Sequence, residues 1–175
     1  EEAPRNIVFA WDTSGSVAPY RSQIYQALND FMQSVVPGRE SVNLMPFGSD
    51  LLLRDWQSEP YILQMVLNDQ PRRESSSAAE TTIARATAEL AKRSGSKAIV
   101  LITDGIEECG GDPCFEAAEL NRLGMGVKVH VVGFALGAGD SNKLRCVVDQ
   151  TGGTFFEASD VGTLKQTLAQ VQKIV

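Results

Sequence analysis

The chain has 175 residues, 43% of them hydrophobic and 22% charged, which is enough to bury a sizeable core as one domain over 1–175 (core about 6–174). A net charge of −6 rests on 22 acidic and 16 basic residues, and the only adjacent basic pairs are Arg72-Arg73 and Lys92-Arg93. That scatter argues against a nucleic-acid binder, which needs a clustered positive face. The longest apolar runs (7–11, 98–102 and 129–132) are far too short to cross a bilayer, so no membrane insertion by this domain is expected. The chain opens on Glu1 rather than Met and reads as a processed protein or excised domain, so a missing signal peptide says nothing about secretion.

Along the chain, strand and helix patterns alternate. Residues 6–11 form a near-continuous apolar run, as in a strand covered on both faces. A helix is expected over 19–35 with Pro19 in its first turn, because Ile24, Leu28, Phe31 and Val35 share one helical face. Segments 42–47 and 51–53 read as two strands joined by Gly48-Ser49-Asp50, a hairpin that would make the second strand antiparallel. A helix over 61–67 and a loop over 71–77 follow. Ile83, Thr87, Leu90 and Ala91 then line one face of a helix over 82–93. A buried strand over 98–102 ends in Thr103-Asp104-Gly105. After it come a helix over 113–123, a strand over 127–134, a helix over 141–151, a strand over 154–156 and a helix over about 160–174.

Strands separated by amphipathic helices imply an α/β fold: a doubly wound, mostly parallel sheet with one antiparallel edge strand and helices on both faces. Right-handed crossovers put the loops after each strand on one edge, where such sheets bind ligands. Asp12 and Asp104 both fall there. Asp12, Ser14 and Ser16 offer a carboxylate and two hydroxyls at i, i+2 and i+4, hard oxygen donors suited to Mg²⁺ or Mn²⁺. The competing reading of such a cluster is a helix cap and Asx-turn.

Asp12-Thr13-Ser14-Gly15-Ser16 supplies the D-x-S-x-S signature of the von Willebrand factor type A domain, which the chain resembles from Asn6 to the terminal helix. The family's second element is a threonine ahead of a helix, and Thr81, Ile83 and Ala86 have its spacing. Ala79 stands where glycine is usual and Glu80 where a small residue is common; Thr82 is the neighbouring alternative. The third element, an aspartate after a central strand, is matched by Asp104-Gly105. The resemblance implies a Rossmann-like fold and a metal-ion-dependent adhesion site built from Asp12, Ser14, Ser16, Thr81 and Asp104. It implies Mg²⁺, with Mn²⁺ second and Ca²⁺ less favoured, and a protein partner that supplies an Asp or Glu carboxylate to the open coordination position. The stretch from Ile106 to Cys114, the run Val129-His130-Val131-Val132-Gly133-Phe134 and Cys146 resemble a bacterial branch found in surface-associated or exported proteins, which implies an extracytoplasmic location.

The remaining residues take plainer expectations. A Cys109–Cys114 bridge would close the Gly-Gly-Asp-Pro loop, worth ~2 kcal/mol in loop entropy. With Cys146 making an odd count, however, the connectivity stays open. His130 reads as a satisfied strand histidine, and Trp11 and Phe47 as core aromatics. Glu107, Glu108 and Asp112 read as a solvated acidic loop, and Arg72, Arg73 and Glu74 as an exposed turn. The enzymatic rival is a haloacid-dehalogenase-like phosphatase with Asp12 as nucleophile. That chemistry needs a second carboxylate where Ser14 stands, so no enzyme is expected. A metal-free interaction scaffold on the same fold is the other alternative.

Overall fold

The computed structural model describes residues 4–47, 49–69, 79–105, 113–124, 126–134, 136, 138–158 and 163–173, with backbone alone at 79–81, 138–140 and 172. The readings of Arg72, Arg73, Glu74, Glu107, Glu108, Cys109 and Asp112 lie outside these residues.

Five strands form one sheet in the order β2-β1-β3-β4-β5: β1 (Arg5–Trp11), β2 (Glu40–Pro46), β3 (Ser96–Thr103), β4 (Val127–Phe134) and β5 (Phe155–Ala158). Every neighbouring pair is parallel. The strands are joined through α1 (Arg21–Gln33), α2 (Pro60–Asn68), α3 (Ala79–Leu90), α4 (Pro113–Arg122) and α5 (Ala138–Thr151), and α6 (Leu164–Gln172) follows β5. Alternation along β1 sends Ile7, Phe9 and Trp11 into a cluster with Ile24, Leu28 and Phe31 of α1, Leu63 and Leu67 of α2, and Leu164, Leu168 and Val171 of α6. Val8 and Ala10 face the other way. They meet Ile83, Ala86 and Leu90 of α3, Ala117 and Leu120 of α4, and Leu144, Val147 and Val148 of α5. Burial on both faces is why these strands read as continuous apolar runs.

The expected antiparallel edge strand is not formed. Residues 51–53 are not a strand, and β2 is itself an edge of the all-parallel sheet. The cause lies in Asn43, which is fully buried. Its Nδ2 donates to the Leu53 carbonyl at 2.9 Å and its Oδ1 accepts from Leu53 N–H at 3.0 Å. The side chain thus takes the groups a backbone ladder would need. What remains is Leu52 N–H to the Leu44 carbonyl at 2.9 Å and one antiparallel bridge between Val42 and Gln57.

Two further expectations shift. Pro19 lies inside a short 3₁₀ segment, Gly15–Tyr20, and the α-helix begins only at Arg21. The third helix starts at Ala79 and stops at Leu90, before Gly95 turns the chain into β3 with φ +99°. A Cβ on Gly95 would collide with the Pro4 carbonyl, which accepts Ser96 N–H at 3.1 Å.

The disulfide joins Cys114 to Cys146, not Cys109 to Cys114. These cysteines sit on α4 and α5, which pack side by side, and their Cα atoms are 5.5 Å apart, within ordinary bridging range. Spatial adjacency of two helices, invisible in the C-x4-C spacing, decides the pairing.

Candidate metal centre

β1 and β3 are neighbours, with Trp11 level with Ile102, so the residues that follow each strand emerge side by side. This is the point where the strand order reverses, the crevice at which doubly wound sheets bind ligands. Asp12 N–H donates to the Ile102 carbonyl at 2.8 Å, extending the strand pairing one step into the site.

Asp12 is only 3% exposed, and both of its oxygens are held. Oδ1 accepts from Ser14 N–H at 2.8 Å, the bond of an Asx-turn, and Oδ2 lies 2.8 Å from the Thr103 hydroxyl. The Thr103 hydroxyl is also 2.6 Å from the Gly105 carbonyl and accepts Gly105 N–H at 3.2 Å. Its single proton is therefore shared between Asp12 and the loop that carries Asp104. Thr13, from the same turn, donates to the Phe47 carbonyl at 3.0 Å, and Phe47 N–H donates to the Trp11 carbonyl at 2.9 Å, which pins the turn to the end of β2.

The hydroxyls stand in front of this carboxylate. Ser14 is half-buried, Ser16 is exposed, and their Oγ atoms are 3.0 Å apart. Half-buried Asp104 lies close enough to interact with both Ser16 and Asp12. Burial and the neighbouring Asp12 charge raise its carboxyl above the ordinary range, against the pull of a Ser16 hydrogen bond. Asp12, Ser14, Ser16 and Asp104 are thus brought together. Thr81 lies in the first turn of α3, with only its backbone described. Its neighbour Thr82 is 1% exposed.

The donor set fits a divalent cation. Two carboxylates repel one another at the rear, two solvent-facing hydroxyls converge in front, and all the donors are hard oxygens. Among the described residues no group of three or more His, Cys, Asp or Glu could hold a metal, and the carboxylates described at this site are Asp12 and Asp104. Thr103 was missed in the sequence. The available signal was a hydroxyl closing an otherwise apolar strand, opposite Asp12 once β1 and β3 are paired.

Trp11 and Phe47 are core aromatics as expected, at 1% and 2% exposure, with Trp11 edge-on to Tyr25 at 5.8 Å between ring centroids. His130 is satisfied at one nitrogen, where Nδ1 accepts Thr154 N–H at 3.1 Å.

The chain belongs to the von Willebrand factor type A domain family, whose sequence model matches residues 6–170. Domains of this family are in general metal-dependent protein-interaction modules rather than enzymes. Among individual proteins, it is 29% identical to the uncharacterized protein YwmD of Bacillus subtilis (strain 168) over 92 residues, 49% of this chain and 41% of that one. The match thus spans less than half the length of that relative. Its fold is similar to the conserved hypothetical protein BatB from Bacteroides thetaiotaomicron (TM-score 0.71, 15% identity, 97% of this chain and 99% of that chain). It is also similar to proximal thread matrix protein 1 from the mussel byssus, in a structure with a zinc-occupied MIDAS motif (TM-score 0.78, 18% identity, 98% and 46%).

Proposed function

We propose that this chain is a divalent-metal-dependent protein-binding domain that engages a carboxylate of its partner through a metal-ion-dependent adhesion site. The observation that carries this reading is the meeting of Asp12 and Asp104 behind the paired Ser14 and Ser16 hydroxyls. Ser14 and Ser16 hold the ion directly through their hydroxyl oxygens. Thr81 joins them directly or through water. Asp12 and Asp104 act chiefly through water and hydroxyl hydrogen bonds, with Thr103 fixing the orientation of Asp12. The favoured ion is Mg²⁺, with Mn²⁺ next. When bound, it supplies a Lewis-acidic position that accepts an outside Asp or Glu oxygen.

The setting we infer is extracytoplasmic and bacterial. The Cys114–Cys146 bridge supports this, because disulfides persist in oxidising compartments, as do the bacterial sources of the similar proteins YwmD and BatB.

The reading is tested by Mn²⁺ titration of the wild type, Ser14→Ala and Asp104→Ala by calorimetry, paired with pull-downs from native extracts with and without EDTA. Saturable metal binding lost in both variants, with partner capture lost on chelation, is expected. Metal-independent capture that both variants retain would overturn it.

A further inference from the structure

The sheet has a second pole. At the amino ends of β1, β3 and β4, opposite the candidate metal centre, lies an open-sided cavity of about 290 Å³ whose lining includes Arg5, Ser96, Lys97, Lys128, His130 and Lys173. Four of these are cations and no described lining residue is acidic, in a chain whose net charge is −6. Lys97 and Lys128 are on strands, so they are not explained as counter-charges to helix carboxyl ends. Among the described residues, Lys97, Lys128 and Lys173 have no ion-pair partner. Among the described residues, no acid that would neutralise them lies in the wall they share.

A buried donor gives the cavity direction. His130 is 5% exposed, two residues from Lys128 on the same strand face. Because its Nδ1 accepts the Thr154 N–H, the neutral ring must carry its proton on Nε2. That N–H has no partner among the described residues. Burial, and secondarily the charge of Lys128, hold the imidazole below its ordinary pKa, so it serves as a neutral donor and not a fifth cation. The arrangement is built in: Gly153 lets the chain before Thr154 pass against the Val129 carbonyl, where any Cβ would collide.

We propose that this cavity binds an oxyanion of the phosphate type, with Lys128 and Lys173 supplying charge and His130 Nε2–H supplying an orienting hydrogen bond. A dianionic tetrahedral group has the charge to offset several clustered cations and spare oxygens for a directional donor, more than one carboxylate provides. Its source is either a soluble phosphate compound or a lipid headgroup.

His130 is the only histidine in the chain, so its ring resonances report on the site alone. The test is an NMR titration with inorganic pyrophosphate in chelator-treated, Mg²⁺-free buffer, which keeps the opposite pole silent. A saturable shift of the His130 ring is expected. The double variant Lys128→Gln/Lys173→Gln, in which both sites are exposed, should bind about tenfold more weakly with its thermal midpoint unchanged. A parallel arm replaces pyrophosphate with phosphatidylglycerol vesicles, against phosphatidylcholine vesicles as control. Capture dependent on the two lysines assigns a headgroup, and response to pyrophosphate alone assigns a soluble ligand. No saturable shift with either probe, a shift reproduced by KCl at matched ionic strength, or undiminished affinity in the double variant overturns the proposal.

Discussion

The two ends of the sheet are chemical opposites built on the same strands. At the carboxyl end, Asp12 and Asp104 lie together behind serine hydroxyls, and burial, with the Asp12 charge second, raises the Asp104 carboxyl. At the amino end, four cations and a neutral imidazole line a cavity in which no described residue is acidic. Between them, the inner stretches 7–11 of β1, 98–102 of β3 and 131–134 of β4 are an apolar slab that sets the spacing and carries no charge. The lesson is that strand interiors fix position while strand ends fix chemistry. One framework thus carries an acidic, hydroxyl-faced cluster at one end and a basic cluster at the other.

The sharpest way to break the contrast is at the carboxyl end. Ser14→Ala should abolish metal-dependent partner capture, and Thr103→Val, which removes the bond to Asp12, should weaken metal affinity about 10- to 100-fold. Calorimetric titration of both ends in each variant checks this, since pyrophosphate binding at the amino end should not change. Next in size is the brace beside the sheet. The bridge closes a sequence separation of 32 residues, so Cys146→Ser should cost about 3 kcal/mol, read from urea denaturation at constant m-value.

Two smaller effects set the ends against each other. The raised Asp104 pKa means that its ionisation costs stability, a penalty fully present above the folded pKa. Asp104→Asn should therefore raise the melting temperature in EDTA yet remove the stabilisation that Mg²⁺ gives the wild type. Scanning calorimetry with and without Mg²⁺ would detect a failure of that reversal. At the other end the sign is opposite. His130 has a lowered folded pKa, so its contribution is intact above about pH 6.5 and is lost as acid drives the pH down through that value toward the folded pKa. Melting curves of the wild type and His130→Gln between about pH 7.5 and 5.5 should converge on acidification.

The carboxyl end was largely legible in the sequence. A buried strand breaking into Asp12-Thr13-Ser14-Gly15-Ser16 and another ending in Thr103-Asp104-Gly105 are local signals, and parallel topology makes them neighbours. The amino end was not. Arg5, Lys97, Lys128 and Lys173 are far apart in the chain and read as scattered charge until strand register gathers the first three and the end of α6 brings Lys173 to them. Side-chain substitution for backbone pairing was equally hidden: nothing in residues 51–53 says that Asn43 will occupy their hydrogen-bonding groups. The disulfide partner depended on two helices meeting, a property of the packed molecule.

The stretch beside β2 has one last effect, on how molecules of this protein meet. A bare outer strand offers its amides and carbonyls to any other chain as a template for aggregation. Here the Asn43 clamp, the Leu52 contact and the Val42–Gln57 bridge cover that side. Among the described residues, the other flank is β5, four residues long and so a brief template for neighbouring molecules to stack into a shared ribbon.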